Sequence, residues 1–215
     1  MNTSERLDAL RKNPPLRIKL KGPGVVFSDT HWGDGSKPDH FWPNWELFEK
    51  IILDYKLRGF TTFINGDWKD CWKFDFTTKV YVDHFDYKIS GNHDRELGHP
   101  EVAIIEWSES EVFVAHGHQG EWLTDEGAEI SEEIIKHIWR NLEELGLSES
   151  SQDRHSAQRQ RLIDWANAQE IPCIFGHTHY QEQQGKYWNS GSSVTAGRIE
   201  WIELDENITL RFKEF

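Results

Sequence analysis

Short apolar runs recur along the chain, and they are rich in β-branched and aromatic residues. Each run is too short for a helix and is followed by glycine or polar residues that favour a turn. The pattern predicts buried strands at residues 25–27, 60–64, 87–90, 112–115 and 173–175. Near the carboxyl end, residues 199–204 and 208–212 alternate in polarity around Asp205-Glu206-Asn207, which predicts a hairpin.

Other apolar residues recur at helical spacing. One stripe predicts a helix over residues 45–58, ended by Gly59. An amphipathic pattern predicts a second helix over 131–145, with Ser131 as its N-cap, and a third pattern predicts a helix over 156–169. Strands and helices are therefore mixed along the whole chain, which favours a layered α/β architecture.

No break in composition marks a domain boundary, so residues 1–215 are predicted to form a single domain. The least core-like region is 119–170, which is charged and helical in pattern. We predict that it is a lid-like insertion rather than a separate domain. Low-complexity segments are absent from the sequence, and we expect order outside the first dozen residues.

The formal net charge is −13. This balance argues against a broad basic surface, so we expect no stable binding to duplex nucleic acid. It does not exclude anionic substrates, because bound divalent cations would reverse the local charge of a site lined by carboxylates and histidines.

Only two cysteines occur, Cys71 and Cys173, so a disulfide framework is not expected. No apolar run approaches the length of a membrane span, and residues 1–13 lack the apolar core of a signal peptide. These features predict a cytoplasmic protein without a membrane span. The sequence leaves its oligomeric state open.

The five predicted strands share one feature, which is that residues able to bind metals follow each of them. They end in Asp29 and His31; Asp67; Asn92, His93 and Asp94; His116 and His118; and His177 and His179. Each has an ordinary explanation when taken alone, such as a helix cap for Asn92 or a turn for Gly66-Asp67. In open α/β sheets, however, ligands bind beyond the carboxyl ends of the strands, where five such ends would converge.

The ordered set resembles the five signature blocks of the calcineurin-like metallophosphoesterases. The resemblance covers residues 25 to about 192, including the trailing Asn189 to Ser192. Its blocks are Asp29-x-His31, Gly66-Asp67-x-x-Asp70, Gly91-Asn92-His93-Asp94, His116 and Gly176-His177-x-His179. The set is specific for the superfamily but not for a substrate, because members include protein phosphatases, nucleases and lipid-precursor hydrolases.

The resemblance implies a four-layer α/β/β/α sandwich of two mixed β-sheets flanked by helices. It also implies two metal ions about 3.5–4 Å apart at the strand carboxyl ends. Carried over by position, the first ion would be held by Asp29, His31 and His179, and the second by Asn92, His116 and His177. Asp67 would bridge them.

Mixed nitrogen and oxygen ligands suit Mn²⁺, Fe, Zn²⁺ or Co²⁺ better than Ca²⁺. We take Mn²⁺ as the first expectation, with Mg²⁺ as a further possibility. The absence of cysteine from the ligand blocks disfavours a structural zinc cluster.

The reaction implied is in-line attack on phosphorus by a hydroxide that bridges the two metals. His93 would stabilise the developing charge or protonate the leaving oxygen, and Asp94 would fix the orientation of the His93 ring from behind. We expect a small phosphorylated substrate, either a phosphodiester or a small nucleotide.

Several residues near these blocks stay open to two interpretations. Asp70 is interpreted as a turn or supporting residue rather than a ligand, and His116 is preferred over His118 because it lies directly at a strand end. The aromatic residues after Asp67 would either pack in the core or form a wall for a base or acyl chain. They are Trp68, Trp72, Phe74 and Phe76. Arginines of the predicted insertion would contact phosphate or lie on an exposed helix face: Arg154, Arg159 and Arg161.

Two alternatives to a phosphodiesterase remain open. Some bacterial members of the family hydrolyse the pyrophosphate of a lipid A precursor, but typical members of that branch have Arg where this chain has His93. The chain also lacks an evident basic amphipathic helix for docking on a membrane. Other members have lost catalysis and serve as interaction modules, usually with damaged blocks, whereas the blocks of this chain are intact.

Overall fold

The computed structural model describes residues 3–36, 39–74, 84–94, 97–107, 110–118, 152–205, 207 and 209–215. In chain order, its helices and strands are α1 (Thr3–Lys12), β1 (Arg17–Lys19), β2 (Gly24–Phe27), a short 3₁₀ turn (Trp42–Asn44), α2 (Trp45–Leu57), β3 (Thr61–Asn65), β4 (Tyr87–Ile89), β5 (Val102–Trp107), β6 (Ser110–Ala115), α3 (Gln152–Asn167), β7 (Cys173–Phe175), β8 (Glu182–Gln184), β9 (Tyr187–Asn189), β10 (Glu200–Leu204) and β11 (Leu210–Glu214).

The strands form two mixed sheets. One sheet has six strands in the order β1-β5-β6-β7-β9-β8, in which β6, β7 and β9 run parallel to one another. The other has five strands in the order β11-β10-β2-β3-β4, in which β2, β3 and β4 run parallel. Each sheet therefore contributes parallel strands whose carboxyl ends lie along one edge.

Three apolar clusters define the layers. The inner cluster lies between the sheets and joins side chains from both, such as Val26 and Phe63 with Val114 and Ile174. The alternate side chains point outward. Thus Val25 packs with residues of α2.

On the opposite side, residues of α1 and α3 pack against the six-stranded sheet. The order of layers is helix, sheet, sheet, helix, which confirms the predicted four-layer α/β fold.

Most of the predicted elements are found, with ends shifted by a few residues. The five strands, the helix at 45–58 and the carboxyl-terminal hairpin of β10 and β11 are present. The pattern did not predict α1 or the strands β1, β5, β8 and β9. The predicted helix at 131–145 lies outside the described residues.

The predicted insertion at 119–170 is described only in its last part. There, α3 places Leu162, Ile163, Trp165 and Ala166 in the outer core. This part is therefore one layer of the sandwich and not a lid. Residues 119–151 lie outside the described residues, so for them the lid stays a prediction.

None of the helices in the described ranges combines the length and apolar character needed to cross a membrane. Both cysteines are buried and free of disulfides.

Candidate metal centre

The carboxyl ends of the strands from both sheets meet at one place. The Asp29 N–H donates to the Gly66 carbonyl at 3.2 Å, which joins the ends of β2 and β3. The Gly176 N–H donates to the His116 carbonyl at 2.9 Å, which joins the ends of β7 and β6. The two sheets are then linked, because the His177 N–H donates to Asp29 Oδ2 at 2.8 Å.

The backbone at these strand ends is in an unusual conformation. Among the described residues, the non-glycine residues with positive φ are all predicted metal ligands. They are Asp29 (φ 50°), His31 (φ 46°), Asp67 (φ 49°), His177 (φ 67°) and His179 (φ 60°). A left-handed conformation costs a non-glycine residue on the order of 1–3 kcal/mol and concentrates at functional sites. The fold therefore bears strain at the same positions that the sequence singled out.

Two glycines make room for this arrangement. A Cβ on Gly91 would collide with the carboxylate and backbone of Asp67. A Cβ on Gly176 would lie 2.5 Å from Asp29 Oδ2. Glycine in these two blocks thus lets one strand end approach the carboxylate of another.

The predicted first ligand set is gathered around Asp29. Its Oδ1 lies 3.3 Å from His179 Nε2 and 3.9 Å from His31 Nε2, and the two imidazole nitrogens are 3.2 Å apart. These three residues form a group with potential ligand atoms all within 4.8 Å of one another.

A second group consists of Asp67, His116 and His177, again with ligand atoms within 4.8 Å. Asp67 Oδ2 lies 3.1 Å from His116 Nε2 and 3.5 Å from His31 Nε2, between the two groups. Asn92 is buried beside them, and the next residue, His93, donates its backbone N–H to Asp67 Oδ1 at 2.9 Å. The clusters of Asp and His can hold metal ions, and the position of Asp67 suits a shared ligand.

The hydrogen bonding of three buried ligand atoms indicates whether cations fit this site. Asp29 Oδ1, Asn92 Oδ1 and His116 Nε2 make no well-formed hydrogen bond within the described part of the chain. A buried polar atom left without a partner costs about 1–3 kcal/mol. Each of the three belongs to a predicted ligand. Asp29 Oδ1 and His116 Nε2 face other predicted ligands, His179 at 3.3 Å and Asp67 at 3.1 Å, so a divalent cation would give these buried atoms a common partner.

Electrostatics lead to the same conclusion. Burial alone would lower the pKa of His116, but Asp67 and Asp29 reverse this and raise it to about 10. Burial alone would raise the pKa of Asp29, but His116 and His179 lower it to about 2. The site thus stabilises positive charge next to its carboxylates. Because the His116 Nδ1–H donates to the Asn65 carbonyl at 2.8 Å, its Nε2 is the nitrogen that would exchange a proton for a metal.

His31 differs from His116 in charge. Burial, followed by repulsion from His93, lowers the pKa of His31 to about 3. The imidazole is therefore neutral at pH 7 and keeps the lone pair that a metal requires.

The prediction that Asp94 orients the ring of His93 is wrong. Asp94 does not bond to the imidazole. It accepts the backbone N–H groups of Trp68 at 2.8 Å and Gly91 at 2.6 Å, and so ties the loops after β3 and β4 together. Asp70 takes the predicted role instead, with its Oδ1 at 2.9 Å from His93 Nδ1.

The bond between Asp70 and His93 fixes the tautomer of the ring. Burial alone would raise the pKa of Asp70, but the hydrogen bond and charge of His93 lower it to about 2. An ionised carboxylate can only accept, so Nδ1 carries the hydrogen and Nε2 is left for a substrate. Burial alone would lower the pKa of His93, but Asp67 and Asp70 raise it above its ordinary value.

The structure decides between the two interpretations for only some of the other residues that the sequence left open. Trp68 packs in the core with Phe85, which favours the packing interpretation for that residue. Phe76 and the side chain of Arg154 lie outside the described residues. Arg159 forms an ion pair with Glu182 of β8.

Comparisons with known proteins do not identify a function for this chain. No family model matches the chain, and no curated protein matches it. A solved structure of a conserved uncharacterised protein from Streptococcus pneumoniae, described as a predicted phosphoesterase, is 19% identical with a TM-score of 0.40, and the match covers 90% of this chain and 97% of that one. A single mutant of Vps29 from Entamoeba histolytica is 14% identical with a TM-score of 0.38, and the match covers 90% of this chain and 99% of that one. Scores this low carry no functional argument, so the function of this chain has to be inferred from the residues of its site.

Proposed function

We propose that this protein is a dimetal-dependent phosphoesterase that hydrolyses phosphodiesters or small nucleotides. The observation that carries the proposal is the position of Asp67. One of its oxygens lies near a histidine of each ligand group, and the other binds the backbone of His93. Two ligand groups that share a carboxylate beside an oriented imidazole support hydrolysis better than metal storage or a purely structural role.

Two divalent cations would polarise the phosphoryl oxygens and lower the pKa of the attacking water. Asp29, His31 and His179 would hold one cation, and Asn92, His116 and His177 the other, with Asp67 shared. Among the ligands only Asp29 and Asp67 are anionic, so two divalent cations would leave the site with net positive charge and attract phosphate.

The protein's own contribution is proton transfer at the leaving group. Water attacks phosphorus opposite the departing oxygen, and the phosphorus–oxygen bond to that group breaks as the new bond forms. The protonated His93 donates its Nε2 proton to the departing oxygen and is reprotonated from solvent, while the attacking water releases one proton to solvent. Asp70 stabilises the ring while it is protonated, because it bonds to Nδ1.

The first test is metal-dependent hydrolysis of bis-p-nitrophenyl phosphate. Activity is expected to disappear after exhaustive chelation and to return with Mn²⁺ or a similar cation, because neutralised carboxylates are required for an anionic substrate to approach. Parallel assays with Mg²⁺, Co²⁺, Zn²⁺ and Ca²⁺ would rank the metals, and Ca²⁺ is expected to be the weakest. Full activity in the metal-free protein would contradict the proposal.

A further inference from the structure

The ring of His93 is surrounded by three different contacts. Asp70 bonds to Nδ1, and His31 meets the ring edge to face, with centroids 4.5 Å apart and an interplanar angle of 88°. The indole of Trp72 lies flat against His93, with centroids 3.9 Å apart and an interplanar angle of 24°. The hydrogen bond and the edge contact are explained by the proposed metal centre, but the indole stack is not.

One hydrogen bond at Nδ1 does not fix the plane of the ring. The imidazole can still tilt about the bond to Asp70, and this tilt moves Nε2, the atom that faces a substrate. A flat aromatic surface at van der Waals distance prevents the tilt on one side. The Trp72 backbone is itself held close, since the N–H of the preceding residue, Cys71, donates to the His93 carbonyl at 3.1 Å.

The position of Trp72 differs from that of a tryptophan in the described apolar clusters. Its side chain is only half-buried, and it belongs to none of the three apolar clusters formed by the described residues. Trp68, four residues earlier in the same loop, is buried in one of those clusters. The loop thus directs one tryptophan into the core and a second onto His93.

We propose that Trp72 is a positioning residue for His93, stacked on the imidazole so that Nε2 stays aimed at the leaving oxygen. This inference rests on the proposed function. We expect Trp72 to affect the rate of the chemical step, because displacement of a catalytic group by about 1 Å can lower the rate by as much as 10²-fold. Trp72 need not touch the substrate to have this effect.

The kinetic test compares Trp72→Leu, which removes the aromatic face, with Trp72→Phe, which keeps a smaller one. On an alkyl phosphodiester we expect Trp72→Leu to lower kcat by about 3- to 10-fold, the factor that one aromatic stack predicts, with KM unchanged. Trp72→Phe should recover most of the loss. Trp188→Leu is the matched control, because Trp188 is also half-buried and packs on an aromatic ring, that of Phe212, with centroids 4.9 Å apart.

A double-mutant cycle links the effect to His93. If Trp72 acts through the imidazole, Trp72→Leu should cause no further loss in a His93→Ala background. An equal loss in both backgrounds would overturn the proposal. So would a raised KM with unchanged kcat, since that result would make Trp72 a substrate contact.

A spectroscopic readout separates this inference from the proposed function. In Zn²⁺-loaded protein with labelled histidines, an indole face at 3.9 Å should shift the His93 ring protons upfield. The shift should disappear in Trp72→Leu, persist in part in Trp72→Phe and be unaffected in Trp188→Leu. Unchanged His93 resonances in Trp72→Leu would disprove the stack. A protein that shows the shift but hydrolyses no phosphoester would disprove the proposed function instead.

Discussion

Asp67→Asn is expected to lose metal from both sites, with hydrolysis falling by more than about 100-fold. The Asp67 carboxylate faces two ligand groups, with Oδ2 at 3.1 Å from His116 Nε2 and 3.5 Å from His31 Nε2. An amide is neutral, and its nitrogen cannot coordinate. Loss of residues that merely support metal ligands costs about 10- to 100-fold in affinity or activity, so loss of a shared ligand should cost more.

The substitution is a clean test because asparagine suits the backbone at this position. Asp67 has φ of 49°, and asparagine is among the residues that tolerate this left-handed conformation best. Metal content per chain should be measured after dialysis, together with thermal unfolding to confirm that the variant folds. Two tightly held ions in Asp67→Asn would contradict the assignment of a bridge.

Two further variants test whether the loss of both ions is specific to Asp67. Asn92→Ala should weaken mainly the second ion, because Asn92 is predicted to serve only that site. Asp86→Asn should leave both ions bound. The Asp86 carboxylate accepts the Thr62 N–H and hydroxyl at 2.9 Å, at the start of β3 and away from the ligand groups.

The convergence of the site residues could be predicted because each ligand block directly follows its own strand in the sequence. Val25 to Phe27 reads as a buried strand, and Asp29 and His31 follow it at once. The carboxyl ends of parallel strands meet at one edge. The same reasoning predicted that Asn92 lies near Asp67, because the two residues follow the neighbouring parallel strands β4 and β3 although they are far apart in sequence.

The partner of His93 could not be predicted in this way. Asp94 is adjacent in sequence, but Gly91 and Trp68 present backbone N–H groups that its carboxylate accepts. Asp70 reaches the ring only because the loop after β3 folds back over the loop after β4. Such hydrogen bonds between loops follow from three-dimensional structure, which a one-dimensional pattern does not contain.

The helix α3 was misjudged for a different reason. Its sequence is dominated by polar and charged residues, which favoured an exposed lid. Its apolar residues are concentrated near the carboxyl end, where Leu162 and Ala166 are fully buried against the sheet. A short apolar stripe on a polar helix is enough to make it a layer of the sandwich, because burial depends on the stripe and not on average composition.

The loss caused by His93→Ala should depend on the leaving group. A p-nitrophenolate departs readily without a proton, whereas an alkoxide such as a ribose oxygen does not. General acid catalysis contributes about 10²–10⁴-fold, so we expect a loss of that size on an alkyl or nucleoside ester and a modest loss on the nitrophenyl ester. The measurement is kcat/KM for both substrates in the wild type and the variant.

Metal content decides how this result is interpreted. The backbone N–H of residue 93 donates to Asp67 Oδ1 at 2.9 Å, and alanine retains that N–H, so both ions should stay bound in His93→Ala. Asp70→Asn should reproduce the same dependence on leaving group to a smaller degree, because it weakens the bond at Nδ1 and leaves the imidazole in place. Equal losses on the two substrates with intact metal content would exclude the acid role. His93 would then act by stabilising charge on the phosphoryl oxygens, an effect that does not depend on which oxygen departs.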